Sequence, residues 1–216
     1  MIKRTTHNTL YTHDNLYVLC GLNSKSVDLV YLDPPFNSKR IYSAPVGSKS
    51  AGTSFKDMWT WEDVDEYYLD AFTDKFPALT KYIASVGHSH SKPMMAYLTY
   101  MAQRIVEMHR VLKETGSIYL HCDPTASHYL KILLDFIFGK NNFRNEIIWC
   151  YKTSGKGKSS FARKHDTVFL YSKTKKCIFN KEGASIPRRT SNHLRTNIDE
   201  NGRVYQEKTD KKTGKV

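Results

Sequence analysis

Val27-Asp28-Leu29-Val30-Tyr31-Leu32-Asp33-Pro34-Pro35-Phe36 is the stretch on which the reading of this 216-residue chain turns. Val27, Leu29, Val30, Tyr31 and Leu32 form a nearly continuous apolar run, the pattern of a strand buried on both faces of a parallel sheet. It ends abruptly in an acid, two prolines and an aromatic ring. Ligands of open α/β sheets bind at the carboxyl ends of strands, which puts Asp33 where chemistry is done. The prolines fix φ and remove two backbone donors. A carboxylate and bare carbonyls remain, all acceptors, beside a flat ring. Such a set suits an exocyclic NH2 on a planar heterocycle. An Asp-Pro turn alone would carry no such meaning; all four residues closing an apolar strand do.

Charge is placed unevenly around this stretch. The net charge is +12, yet residues 1–151 hold 16 Lys and Arg against 15 Asp and Glu, while residues 152–216 hold 17 against 6. The excess in the last third fits a region facing phosphates, with Lys208 to Val216 reading as a solvated tail. The four cysteines, Cys20, Cys122, Cys150 and Cys177, show no paired metal spacing. They read as reduced thiols of a cytoplasmic protein. No apolar leader follows Met1, and no stretch is long enough to span a bilayer. His88 and His90 lack an acid or Cys at ligand spacing and read as loop residues, so no metal is expected.

Further elements follow from periodicity and caps. Thr9–Thr12 reads as a short strand, and Asp14 caps a small helix through Leu19. Residues 38–93 read as a long irregular excursion, with Trp59 and Trp61 either in a lid over the cleft or in a satellite core. Pro93 opens a helix with Leu98, Met101, Ile105, Met108 and Leu112 at helical spacing, and Gly116 stops it. Ser117–Cys122 is the next strand. Asp123 and Pro124 start a helix carrying Leu130, Leu133, Leu134 and Ile137, which ends at Gly139. Strands over 146–151 and 167–172 complete the rhythm of a parallel sheet. Asp123 lies at a strand's carboxyl end, where lining a cleft competes with capping.

The Asp33-Pro34-Pro35-Phe36 set resembles the signature of the amino-group DNA methyltransferases, which modify adenine N6 or cytosine N4. GSIYLHCDPTASHYLKILLDFIFG, NFRNEIIWCYKT and KHDTVFLYSKT (starting at Gly116, Asn142 and Lys164) resemble the segments that follow the motif in one group of that family. That resemblance implies a partial S-adenosylmethionine-dependent, Rossmann-like α/β sheet, mostly parallel, with a long loop insertion and a basic C-terminal region. It places a partial catalytic domain at 1–175 and the start of a target-recognition region at 176–216. It implies catalytic roles for Asp33, Pro34, Pro35 and Phe36, and contact with S-adenosylmethionine by Asp14, Asn15, Asp33 and Asp123. The Asp14 segment departs from the family's Gly-Asp-Asn pattern, since His13 replaces the glycine. Lys156, Lys158, Arg163, Lys164, Arg188, Arg189 and Arg195 are the candidate contacts to double-stranded DNA.

In that group the Phe-x-Gly-x-Gly cofactor loop follows the recognition region, and residues 152–216 contain no such sequence. The chain therefore resembles the front of such an enzyme. A missing neighbour strand implies marginal stability and weak cofactor binding, with a homodimer or a complementary C-terminal half as the partner. Two other readings stay open. One is the same chemistry on RNA or a protein amide, separated by assays on each substrate. The other is a non-catalytic nucleic-acid-binding half of a split enzyme, separated by cofactor binding to this chain alone.

Overall fold

The computed structural model describes residues 8–37, 40–44, 46–49, 51–152, 159, 161–184, 197–202 and 204–205. The chain divides into two compact units, Met1–Ile178 and Phe179–Val216. In the first, helix α1 (Asn15–Gly21) begins where the Asp14 carboxylate accepts the Leu16 N–H at 2.8 Å. Strand β1 (Val27–Leu32) follows, then a hairpin of β2 (Arg40–Ser43) and β3 (Ser54–Asp57). Helices α2 (Glu66–Lys75), α3 (Pro77–Ser89) and α4 (Lys92–Val111) lead into β4 (Leu112–Cys122). Helix α5 (Ser127–Phe138) and strands β5 (Phe143–Cys150) and β6 (His165–Ser172) come next. In the second unit, β7 (Asn197–Ile198) pairs antiparallel with β8 (Val204–Tyr205).

Helix α4 organises the core. Ser91 caps it and Pro93 sits in its first turn, where a missing N–H costs nothing. Leu98, Met101 and Ile105 are buried, each contributing roughly 1.5–3 kcal/mol of apolar transfer. Against α4 pack α1, α3 and α5. Helix α5 buries Leu130, Leu133, Leu134 and Phe138, and Gly139 ends it at a φ of 83°.

The principal sheet has the order β1-β4-β6-β5. Only β1–β4 is a parallel pair, while β4–β6 and β6–β5 are antiparallel. The sheet is mixed, which corrects the expectation of a mostly parallel one. The link between β5 and β6 is rich in Gly, Lys and Ser and has no helical periodicity. For a link of that composition antiparallel return is the short route.

Strand β1 also departs from its expected burial on both faces. Among the described residues it has a neighbour on one side only. Val27, Val30 and Leu32 pack against the core, while Leu29 and Tyr31 are 56% and 57% exposed. Gly116 does not stop the preceding helix but lies inside β4, which starts at Leu112. A Cβ there would sit 3.0 Å from the Asp28 carbonyl oxygen, so glycine lets the β1 backbone come close.

Other expectations change as well. Residues 9–12 are exposed and form no strand. The 38–93 excursion is not irregular: it holds the hairpin and two helices, whose Phe72, Leu79, Ile83 and Val86 are core. The spacing of Leu79, Ile83 and Val86 was the helical signal there. Trp59 is buried against Tyr97 and Tyr100, whereas Trp61 is partly exposed. His88 lies within α3 and His90 caps its end, rather than in a loop. Helix α5 begins at Ser127, not at Asp123–Pro124. Cys122 is buried in β4 and Cys150 is exposed at the end of β5; the four thiols are unpaired. No described helix is long and apolar enough to cross a membrane.

An open apolar edge favours self-association. Leu29→Thr with Tyr31→Lys should lower light scattering of this chain at high concentration. Thermal melts should show stability within about 0.5 kcal/mol of the unsubstituted protein. A loss of several kcal/mol would mean that these side chains are covered.

Candidate active site

The register of β1 on β4 sets Leu32 opposite Leu120, so Asp33 and His121 emerge side by side at the sheet's carboxyl rim. The His121 Nδ1 lies 2.9 Å from Asp33 Oδ1. Asp33 keeps 60% of its side chain exposed, against 10% for His121. Phe36 meets the His121 ring edge-on at 5.1 Å between centroids. The four residues Asp33 to Phe36 are thus held together as one corner.

Beyond the corner, Asn37 takes a φ of 62°, a left-handed conformation that asparagine tolerates. Its N–H donates to Asp57 Oδ1 at 2.7 Å, and both residues are buried. The β2–β3 hairpin is thereby fastened to the motif. Two cavities share Asp33, Pro34 and Pro35 as a common wall. One, of about 300 Å³, is completed by Phe36, Tyr42 and Asp57. The other, of about 260 Å³, is completed by Asn15, Tyr31, Tyr100, Arg104 and apolar residues of α4. A roomier cavity of about 440 Å³ lies between Trp59, Trp61, Pro93 and Met95. Apart from the Lys92 ammonium its lining carries no ionisable group, so the corner is the better candidate for chemistry.

Arg104 sets the α1 side of the second cavity. Its Nη2 donates to Asp14 Oδ1 and Oδ2 at 2.9 and 2.7 Å, and its Nε donates to Asn15 Oδ1 at 2.8 Å. The guanidinium lies 3.3 Å from the centroid of the Tyr100 ring. Asp14 is therefore engaged by Arg104 and the Leu16 amide; of the four expected cofactor residues, Asn15 and Asp33 line the cavity and Asp14 and Asp123 do not. The sequence held a signal for Arg104: it falls on the apolar stripe of α4, where a charge needs a partner. Burial pushes the Tyr100 hydroxyl's pKa up, keeping it neutral. On the outer side of α1, the Tyr17 hydroxyl donates to Asp65 Oδ2 at 2.7 Å. That bond holds the Asp65 carboxyl below its usual range and raises the Tyr17 hydroxyl.

Asp123 is not brought to either cavity. Its oxygens accept from the Thr125 N–H and hydroxyl and from the Ala126 N–H, so it caps the turn before α5. Burial raises the Cys122 thiol far above its usual range and leaves it inert. Because β6 runs against β4, its first residues lie at the same rim as Asp33, with Thr167 opposite Cys122. Arg163 and Lys164 just precede it, exposed and half-buried respectively. Lys156, Lys158, Arg188, Arg189 and Arg195 lie outside the described residues. Among the described residues no group of His, Cys, Asp and Glu could hold a metal ion.

A family model for N6/N4 methyltransferases, described as DNA methylase, matches residues 27–216. The chain belongs to the N6/N4 DNA methylase family. It is 28% identical over 174 residues to the type II methyltransferase M.KpnI of Klebsiella pneumoniae, covering 79% of this chain and 33% of that protein. It is 30% identical over 178 residues to the type II methyltransferase M.EcaI of Enterobacter cloacae, covering 81% and 31%. With the Mod subunit of the StyLTI type III restriction-modification enzyme of Salmonella typhimurium it shares 28% over 176 residues, covering 79% and 24%. The chain thus spans about a quarter to a third of the length of these relatives. The PvuII DNA methyltransferase, cytosine-N4-specific, gives a TM-score of 0.45 at 15% identity over 76% of this chain and 48% of that one, a likeness too loose to build on.

Methylases of this family belong to restriction-modification systems and take their methyl group from S-adenosylmethionine. In the second cavity the Asp33 carboxylate and the Tyr31 ring fit the cationic end of that donor, while the Arg104 guanidinium covers the Tyr100 ring and engages the Asn15 amide oxygen. Arg104→Met should free Asp14 and Asn15 and leave their acceptors without a charged partner. Urea unfolding should show a loss of about 2 kcal/mol. Arg104→Lys should recover little of it, because a lysine cannot reproduce the fork.

Proposed function

We propose that this chain carries the base-holding part of a DNA amino-methyltransferase. The reaction is transfer of a methyl group from S-adenosylmethionine to the exocyclic amine of adenine (N6) or, as second choice, cytosine (N4) in double-stranded DNA. One observation carries the reading: the acceptor-rich Asp33-Pro34-Pro35-Phe36 corner forms the wall between two cavities. One cavity is lined by two aromatic rings for a base, Phe36 and Tyr42. The other offers Asn15, Asp33 and the Tyr31 ring for a cationic donor.

An exocyclic NH2 is a poor nucleophile because its lone pair is delocalised into the ring. Asp33 would accept one amine hydrogen and the Pro34 carbonyl the other, favouring a pyramidal nitrogen. That lone pair would point at the methyl group, and the proton the nitrogen sheds on methylation would pass by way of the Asp33 carboxylate to solvent. Positive charge grows on nitrogen, so fixed acceptors stabilise the transition state more than the ground state. Phe36 would stack on the base after it leaves the duplex, and Pro35 keeps the turn rigid. S-adenosylmethionine would supply the activated methyl group. Asn15 and Asp33 would meet it, with Asp14 placed behind Asn15 by Arg104. Arg163 and Lys164 stand at the same rim for phosphate contact, giving salt-sensitive affinity.

A second reading, a half that acts only with a companion segment, is favoured by the open edge of β1 and by the share of the relatives' length that is matched. Calorimetry on this chain alone should then show S-adenosylmethionine bound weakly or not at all. Micromolar binding with a cooperative two-state melt would rule that reading out. For the main proposal, Asp33→Ala in a methyl-transferring preparation should abolish transfer to DNA while gel shifts stay within about twofold. Retained turnover would reject Asp33 as the amine acceptor.

A further inference from the structure

The imidazole of His121 is enclosed in an arrangement that the methyl-transfer scheme above leaves unused. Its Nδ1 is 2.9 Å from Asp33 Oδ1, and its Nε2 is 3.5 Å from Asp166 Oδ2. Phe36 packs edge-on against one part of the ring, and Trp149 stacks on it at 6.0 Å with 27° between planes. His121 is buried, and among the described residues its Nε2 makes no hydrogen bond. Four elements thus converge on one ring: the corner after β1, β4 itself, β5 through Trp149 and β6 through Asp166.

We infer that His121 is a positioning residue for the proposed methyl transfer, fixing the Asp33 carboxylate and the Phe36 ring at the same time. This rests on the methyltransferase reading. A carboxylate only accepts, so Nδ1 must carry the hydrogen in this bond. The bond occupies Oδ1 of Asp33 and leaves Oδ2 for the target amine. Asp33 is largely exposed on a turn, and without a fixed partner its carboxylate would rotate among several orientations. A buried ring clamped between Phe36 and Trp149 removes that freedom before substrate arrives, which is where orientation gains arise. Asp166 faces the far nitrogen, and its Oδ1 accepts from the Tyr151 hydroxyl at 3.3 Å.

The test has two arms. In the first, long-range ¹H–¹⁵N spectra of this 216-residue chain report the His121 nitrogens directly. The inference expects a protonated Nδ1, with Asp33→Ala shifting the His121 signals and leaving those of His109 and His128 in place. A bare Nδ1, or signals unmoved by Asp33→Ala, overturns it. In the second arm, methyl transfer to DNA is followed in a transferring preparation. His121→Ala should lower kcat by about tenfold to a hundredfold with KM for DNA little changed. His121→Asn, which keeps an N–H near the Nδ1 position, should regain most of that loss, and His121→Gln should not. Equal losses in all three variants, tracking a fall in Tm, would make His121 merely structural and overturn the inference. If no companion segment restores transfer to DNA while the spectroscopic coupling is intact, the methyltransferase reading fails and the Asp33–His121 bond stands.

Discussion

The parallel pairing of β1 with β4 governs everything at the rim. Leu32 lies opposite Leu120, and that single register brings a carboxylate on an exposed turn next to an imidazole from the protein's interior. A slip of one residue would turn every β1 side chain to the other face and part Asp33 from His121. Gly116 permits the approach, because a side chain there would press on the Asp28 carbonyl. Apolar packing of Val30 and Leu32 on the α4 core sets the depth of the strand. The chemistry of the corner therefore depends on an ordinary hydrophobic register and on one missing methyl group.

Much of this was legible in the residues. The four-residue corner, the capped α1, the apolar face of α4 and the leucines of α5 follow from local pattern, and local pattern is what periodicity reports. The direction of β6 was not so plain, since apolar runs look alike whether a strand is parallel or antiparallel. The non-helical composition of the preceding link held that information and was outweighed by the family's general rhythm. Burial of β1 was overestimated for a similar reason: composition records what a strand could bury, not whether a neighbour covers it. Leu29 is as apolar as Val30 and Leu32, and what separates it and Tyr31 from them is the face of the strand on which they lie.

The site itself divides along the same line. Asp33 to Phe36 are contiguous and could be read together. His121, Arg104 and Asp57 act from distant positions in the sequence, 88, 90 and 20 residues from the partners they hold. Arg104 left a trace as a charge on an apolar stripe. His121 left only its place at the carboxyl end of a strand, which does not say what it holds. Asp123 shows the opposite error: a carboxylate at a strand's end that spends its oxygens on a turn. The position of a polar residue in a strand–turn–helix does not by itself say whether it serves the backbone or a ligand.

The bond from the Asn37 amide to the buried Asp57 carboxylate ties the root of the β2–β3 hairpin to the corner, while its far end stands clear. Among the described residues nothing lies within 4 Å of where a side chain would sit on Gly47 or Gly52. The hairpin is therefore a pier anchored at the motif. Lengthening or recoding its far end would leave the anchored end, and with it the geometry around Asp33, undisturbed. A protein built this way can vary what it presents to an approaching polymer without rebuilding the machinery behind it.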